Sequence, residues 1–174
     1  MCIYRMPRGL SVVTPRSACP GCKNPIALYD NMPVLGWLMR SAGDIPVERG
    51  DRRNSARALL ECARVLRQGC SVVFFPEGTR SPDGRLLLFK KGPFHLAKEA
   101  GVPVIPVTIL GTGECWPKGT WAVRSGRATL IFHPPIDPAN FADRDALMVA
   151  VRKQIASALP EGQRGTELDS GEST

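Results

Sequence analysis

Two apolar runs too short to be helices punctuate the middle of this chain, and each follows a helical stretch that a glycine closes. Ser71 to Phe75 lies between Gly69 and Pro76, and Val102 to Leu110 follows Gly101. Short runs rich in Val, Ile and Phe and bounded by turn residues predict buried strands. Ahead of the first, Asp51 to Gly69 carries Ala56, Leu59, Leu60, Ala63 and Leu66 at helical spacing, with arginines elsewhere around the cylinder. Ahead of the second, Pro93 to Ala100 predicts a helix, because proline is tolerated in a first turn and Gly101 suits a left-handed cap. Ala128 to Phe132 predicts a further strand, ended by Pro134-Pro135. Asp143 to Leu159 is the clearest helix, with Asp143 as its N-cap and Leu147, Ala150, Val151, Gln154, Ile155, Ala158 and Leu159 on one face.

This alternation predicts an α/β layered domain: a central mixed, partly parallel sheet flanked by helices, truncated at its N-terminal side. Pro103 and Pro106 cannot donate ladder hydrogen bonds, so the second run belongs at an edge or a bulge. Upstream, Val34 to Gly43 reads as a short helix and Ile45 to Glu48 as a strand. The division expected along the 174 residues is an irregular segment over 1–32, an α/β domain over 33–160 and a disordered, acidic tail over 161–174.

Charge and composition narrow the function. The net charge of +7 favours an anionic partner: phosphate, nucleic acid or an acidic membrane surface. Nucleic acid is not expected, because aromatics are only 6% and the basic residues are spread over helices instead of being interleaved with them. No apolar run approaches the roughly 18 residues of a spanning helix. Met1 to Arg8 has no apolar stretch behind its arginines and does not read as a signal peptide.

The six cysteines do not form a secreted disulfide framework in a chain this long. Cys62, Cys70 and Cys115 read as small buried hydrophobes. Cys19-Pro20-Gly21-Cys22 is a knuckle of the kind that supplies half a tetrahedral zinc site, so Cys19 and Cys22 are the candidate metal ligands. A full site needs two more ligands, no second pair follows, and the histidines at 95 and 133 are distant. An unpartnered or redox-labile pair is favoured over zinc.

In α/β sheets ligands gather at the C-terminal ends of strands, which points to the loop Phe75-Pro76-Glu77-Gly78-Thr79-Arg80-Ser81-Pro82-Asp83-Gly84. Arg80 offers a planar fork of donors to phosphate oxygens, Thr79 and Ser81 add hydroxyls, and Gly78 lets the backbone come close. Glu77 cannot bind a phosphate directly and is expected to fix Arg80 or the loop. The alternative is a surface turn with solvated charges.

Phe75 to Ser81 resembles the signature block of the glycerolipid acyltransferases, the family of 1-acylglycerol-3-phosphate acyltransferase. Gly43-Asp44-Ile45-Pro46-Val47-Glu48-Arg49 resembles the family's preceding block. Phe89-Lys90-Lys91-Gly92 and Val102-Pro103-Val104-Ile105-Pro106-Val107 resemble the later ones, in family order, over about residues 33–138. The resemblance implies transfer of a fatty acyl group from acyl-CoA or acyl carrier protein, as co-substrate, to a lysophospholipid or glycerol-phosphate acceptor, with no cofactor. It implies that Arg49 and Arg80 meet the acceptor phosphate while Glu77, Gly78 and Thr79 shape the loop. It also implies a cytoplasmic, peripheral seat on the anionic inner face of the cell membrane.

One block departs. The family's His-x4-Asp pair, a general base and its orienting carboxylate, has no counterpart here. His95 has no Asp at the fifth place after it, and His133 has Asp137 at the fourth. His95 reads as a helix residue packed near the core and His133 as a strand-end residue. In the block's place, residues 1–35 resemble the cytoplasmic N-terminal segment of a prepilin peptidase: Met1 to Gly9, Thr14 to Ser17, the Cys19–Cys22 knuckle and Tyr29 to Leu35. The chain reads as a chimera with impaired catalysis. Alternatives are a non-catalytic module that binds anionic lipid or phosphate, and a small zinc module on Cys19 and Cys22.

Overall fold

The structure, a computed structural model, describes the backbone of residues 2–4 and 52–54 and all atoms of 55–115 and 124–165. In chain order these form β1 (Cys2–Tyr4), α1 (Arg52–Arg67), β2 (Val72–Phe74), α2 (Gly92–Ala100), β3 (Val104–Leu110), a short α3 (Thr112–Cys115), β4 (Thr129–Phe132) and α4 (Arg144–Ser157). Two 3-10 turns, Pro138–Asn140 and Glu161–Gln163, flank α4. The helix and strand expected between residues 34 and 48 lie outside the described residues.

The sheet order is β2-β1-β3-β4. Residues 1–32 were expected to be irregular, but Cys2–Tyr4 is a central strand. Its register is Cys2 opposite Phe74 and Tyr4 opposite Val72 on one side, and Cys2 opposite Pro106 and Tyr4 opposite Val104 on the other. Both pairings are antiparallel, as is β3 with β4. β2 and β3 therefore run the same way, joined through α2 as in a parallel crossover, but β1 fills the slot between them. The α/β layering stands; among the described residues every paired strand is antiparallel. A three-residue strand is enough to fill the slot, because the backbone groups of its neighbours must be paired whatever the side chains are.

β3 is not an edge strand, and its prolines are accommodated by a bulge. Val107 to Leu110 pair in even register with Phe132 to Thr129, yet Val104 pairs with Ile136, one residue further on than that register would give. The extra residue falls in His133–Pro135, opposite Ile105 and Pro106. Pro106 accepts from His133 N–H at 3.0 Å, and the donor it lacks falls where the partner strand leaves the ladder.

One core lies between the sheet and α1, α2 and α4. It gathers Val72, Phe74 and Val104 from the sheet, Phe94, Leu96 and Ala97 from α2, and Leu147, Val151 and Ile155 from α4. Gly101 caps α2 in the left-handed conformation at φ 61°, and the Asp143 carboxylate accepts from Ala146 N–H at 2.7 Å at the start of α4. The buried stripe of α1 is rotated from the one expected: Ala58, Cys62, Val65 and Leu66 face the core, Leu59 and Ala63 flank it, and Ala56 and Leu60 are exposed. Small side chains at 58 and 62 let the helix approach closely, and burial pushes the Cys62 thiol up to about 12, as suits an inert core residue.

The tail begins later than expected. Gln163 carbonyl accepts from Leu86 N–H at 2.9 Å, and Arg164 Nε donates to Leu159 carbonyl at 3.1 Å. The chain through 165 is thus part of the fold, because the Gln163 backbone and the Arg164 side chain close hydrogen bonds with residues 86 and 159. Residues 166–174 lie outside the described residues.

Candidate functional site: the loop after β2

The connection from β2 to α2 leaves the C-terminal end of β2 and turns at once. Gly78 N–H donates to Phe75 carbonyl at 3.0 Å, and Gly78 holds φ at 67°, where a Cβ is strained. The chain then returns alongside itself: Lys90 N–H donates to Pro76 carbonyl at 2.8 Å, and Leu87 N–H donates to Glu77 Oε2 at 2.9 Å. Glu77 is thus a fastener of the loop. Burial raises its pKa, opposed by the Leu87 N–H and the nearby Arg152 charge.

Arg152, on the inner face of α4, completes the fastening from below. It is 6% exposed. Its guanidinium donates to Leu87 carbonyl at 2.5 Å and to Leu86 carbonyl at 3.2 Å, and lies 5.4 Å from the centre of the Phe89 ring. Burial pulls its pKa down and Glu77 pulls it up. Sequence reasoning missed this residue. The signal was available: 152 stands four residues after Met148 and three before Ile155, on the stripe that turns inward.

With the inner half of the loop tied down, Thr79 and Arg80 are exposed at its tip. Ser81 contributes less than expected. Its hydroxyl proton goes to Asp83 Oδ1 at 2.8 Å, and Arg85 N–H reaches the same oxygen at 3.1 Å. Those two donors hold the Asp83 carboxyl below its usual range. Lys90, absent from the expected site, lays its stem across Gly78: a Cβ at 78 would stand 2.7 Å from Lys90 Cε and 3.3 Å from Nζ. Of the expected site residues the structure brings together Glu77, Gly78, Thr79 and Arg80. Arg49 lies outside the described residues.

The candidate metal ligands Cys19 and Cys22 also lie outside the described residues; among the described residues no group of His, Cys, Asp or Glu is placed to hold a metal ion. No described helix is long and apolar enough to cross a membrane. His95 is exposed on α2 and sits 3.8 Å from Glu99, one turn on, instead of packing near the core. His133 is at the strand end, as expected. Its Nε2 meets Thr108 Oγ1 at 2.8 Å, and because Thr108 gives its own proton to Ile155 carbonyl at 2.9 Å, His133 is the donor.

The loop leaves the strand end of an α/β scaffold with a basic, exposed tip, and comparison with known proteins gives the family. Residues 25–110 match the acyltransferase family and residues 1–43 match the bacterial peptidase A24 N-terminal domain. Residues 25–110 are thus acyltransferase-family sequence, and a stretch that matches the peptidase domain runs into them.

A 1-acyl-sn-glycerol-3-phosphate acyltransferase of Chlamydomonas reinhardtii is 42% identical over 130 residues, covering 74% of this chain and 39% of the relative. The namesake of Pseudomonas aeruginosa is 34% identical over 104 residues, covering 59% of this chain and 40% of the relative. The crystal structure of the 1-acyl-sn-glycerophosphate (LPA) acyltransferase PlsC from Thermotoga maritima superposes with a TM-score of 0.65 at 36% identity, covering 78% of this chain and 54% of that one. The chain spans about two fifths of the length of the curated relatives it matches.

Proposed function

We propose that this chain binds the phosphate of a 1-acylglycerol-3-phosphate-type lipid on the loop at 75–81. Arg80 and Thr79 donate to the phosphate, Arg49 is a further contact, and Glu77 and Gly78 hold the loop's shape. The reaction to which the chain belongs is transfer of a fatty acyl group from acyl-CoA or acyl carrier protein to the acceptor hydroxyl. Its place of work is the anionic cytoplasmic face of the membrane, as a peripheral protein, which the net charge of +7 supports. One observation carries the reading. Within the family-matching stretch, a loop pinned at Glu77 and Lys90 presents Thr79 and Arg80 to solvent at the end of β2.

Turnover is impaired in this reading, because both histidines are engaged elsewhere, His95 beside Glu99 and His133 on Thr108, and neither belongs to a His-x4-Asp pair. Loss of a positioned general base lowers rates by roughly 10² to 10⁴. The test is sedimentation with phosphatidylcholine vesicles, with and without 1-oleoyl lysophosphatidate, run beside an acyl-transfer assay from oleoyl-CoA. Lysophosphatidate-dependent binding that Arg80→Ala weakens by about tenfold, with turnover near background, is the expected result. Binding indifferent to Arg80→Ala removes the phosphate site, and robust turnover abolished by His95→Ala removes the impairment.

A further inference from the structure

Lys90 is drawn into the site by backbone and side chain alike. Its N–H is fixed on Pro76 carbonyl, and its stem lies over Gly78, which has no side chain. The space above Gly78 is therefore occupied by Lys90, and Gly78 is two residues from Arg80. The neighbouring Lys91 turns elsewhere, with its ammonium 3.4 Å from Asp145 on α4. Two adjacent lysines of identical chemistry are thus sorted by the fold, one over the loop and one to the helix behind it.

We propose that Lys90 is a second cationic contact for the phosphate monoester bound at the loop, and that residue 78 is glycine so that the lysine stem can lie across it. This rests on the phosphate-binding reading above. A flexible ammonium beside a planar guanidinium is a useful division of labour: Arg80 fixes oxygen geometry with its fork, and Lys90 follows the charge. A Cβ at position 78 would displace that ammonium as well as strain a backbone at φ 67°.

The shared chemistry is a phosphate monoester, whether on a soluble glycerol phosphate or on a lipid headgroup, and two arms separate them. The full chain is titrated with sn-glycerol 3-phosphate by calorimetry, and separately with 1-oleoyl lysophosphatidate in phosphatidylcholine vesicles. The proteins are the parent, Lys90→Ala, Lys90→Arg, Lys91→Ala and Arg80→Ala, with circular dichroism confirming that each is folded. Lys90→Ala is expected to weaken binding about three- to tenfold and to flatten its salt dependence, with Lys90→Arg retaining most of both and Lys91→Ala matching the parent. Loss in both arms assigns the contact to the phosphate itself, and loss in the vesicle arm alone assigns it to the headgroup at the surface. If Arg80→Ala weakens binding while Lys90→Ala and Lys91→Ala both behave as the parent, the role of Lys90 is overturned and the loop reading survives. If Arg80→Ala also behaves as the parent, the loop reading falls and the inference with it.

Discussion

Two polar, turn-rich connections leave the same sheet and are built differently. The β2–α2 connection is closed on itself by Glu77 and Leu87 and is also tied to distant parts of the chain, Leu86 and Leu87 to Arg152 of α4 and Leu86 to Gln163 beyond it. The β3–β4 connection, over its described residues, is tied mainly to itself. Arg124 N–H donates to Cys115 carbonyl at 2.8 Å, and residues 124–130 are exposed. Local composition does not separate the two. What separates them is one buried guanidinium and one closing turn more than sixty residues downstream of the loop, so that only the β2–α2 connection is held from outside.

The sharpest way to break that contrast is to remove the guanidinium. Arg152→Ala leaves two backbone carbonyls without their donor and the Glu77 carboxylate without its nearby cation. The expected cost is about 1.5–3 kcal/mol of stability. In a domain of this size that lowers the thermal midpoint by roughly 3–12 °C. Arg127→Ala, an exposed change in the other connection, is expected to stay within about 0.5 kcal/mol. Thermal melts of the two variants decide it, and equal effects would dissolve the distinction.

A smaller effect is expected from Thr108→Val in β3. The hydroxyl joins the helix layer to the residue that follows β4, by donating to Ile155 carbonyl and accepting from His133. Valine keeps the volume and drops both bonds, for an expected cost of about 1 kcal/mol. A melt unchanged from the parent would show that the β4 side is not coupled to α4 through this residue.

How much of this could be read from residues alone follows the range of the interactions. Helices with local caps were legible: Asp143 and Gly101 are both where their chemistry predicts, because a cap is made within one turn. The loop was legible from Phe75-Pro76-Glu77-Gly78-Thr79-Arg80, and so was the fastening role of Glu77. The bulge was half legible from Pro106, which excludes an ordinary ladder position without saying which irregularity replaces it. The central place of Cys2–Tyr4 was not, since three residues carry no periodicity and their strand exists only because β2 and β3 leave a gap. Arg152 was missed because its charge was read as exposure, and Lys90 because the sequence does not tell which side chain lies over Gly78. Here one charge is drawn inward by two carbonyls and an aromatic ring, and the other is laid over a glycine.

The subtlest expected effect tests whether the fastening of the loop is electrostatic or a matter of hydrogen-bond shape. Glu77→Gln keeps an oxygen for Leu87 N–H and removes the charge that burial disfavours. A carboxyl whose pKa is raised in the folded state holds its proton more tightly there than in the unfolded chain. Its stabilising contribution is therefore complete below the ordinary glutamate value near 4.5 and is lost as pH rises through the folded value. The glutamine variant has no such loss. The difference in thermal midpoint between variant and parent is expected to move in the variant's favour from pH 4 to pH 7. Adding Arg152→Ala to both should widen that movement, because the cation that partly compensates the carboxylate is gone. A difference that is flat with pH in both backgrounds would mean that Glu77 serves the loop only as an acceptor, and that Arg152 stiffens it through the carbonyls of Leu86 and Leu87 alone.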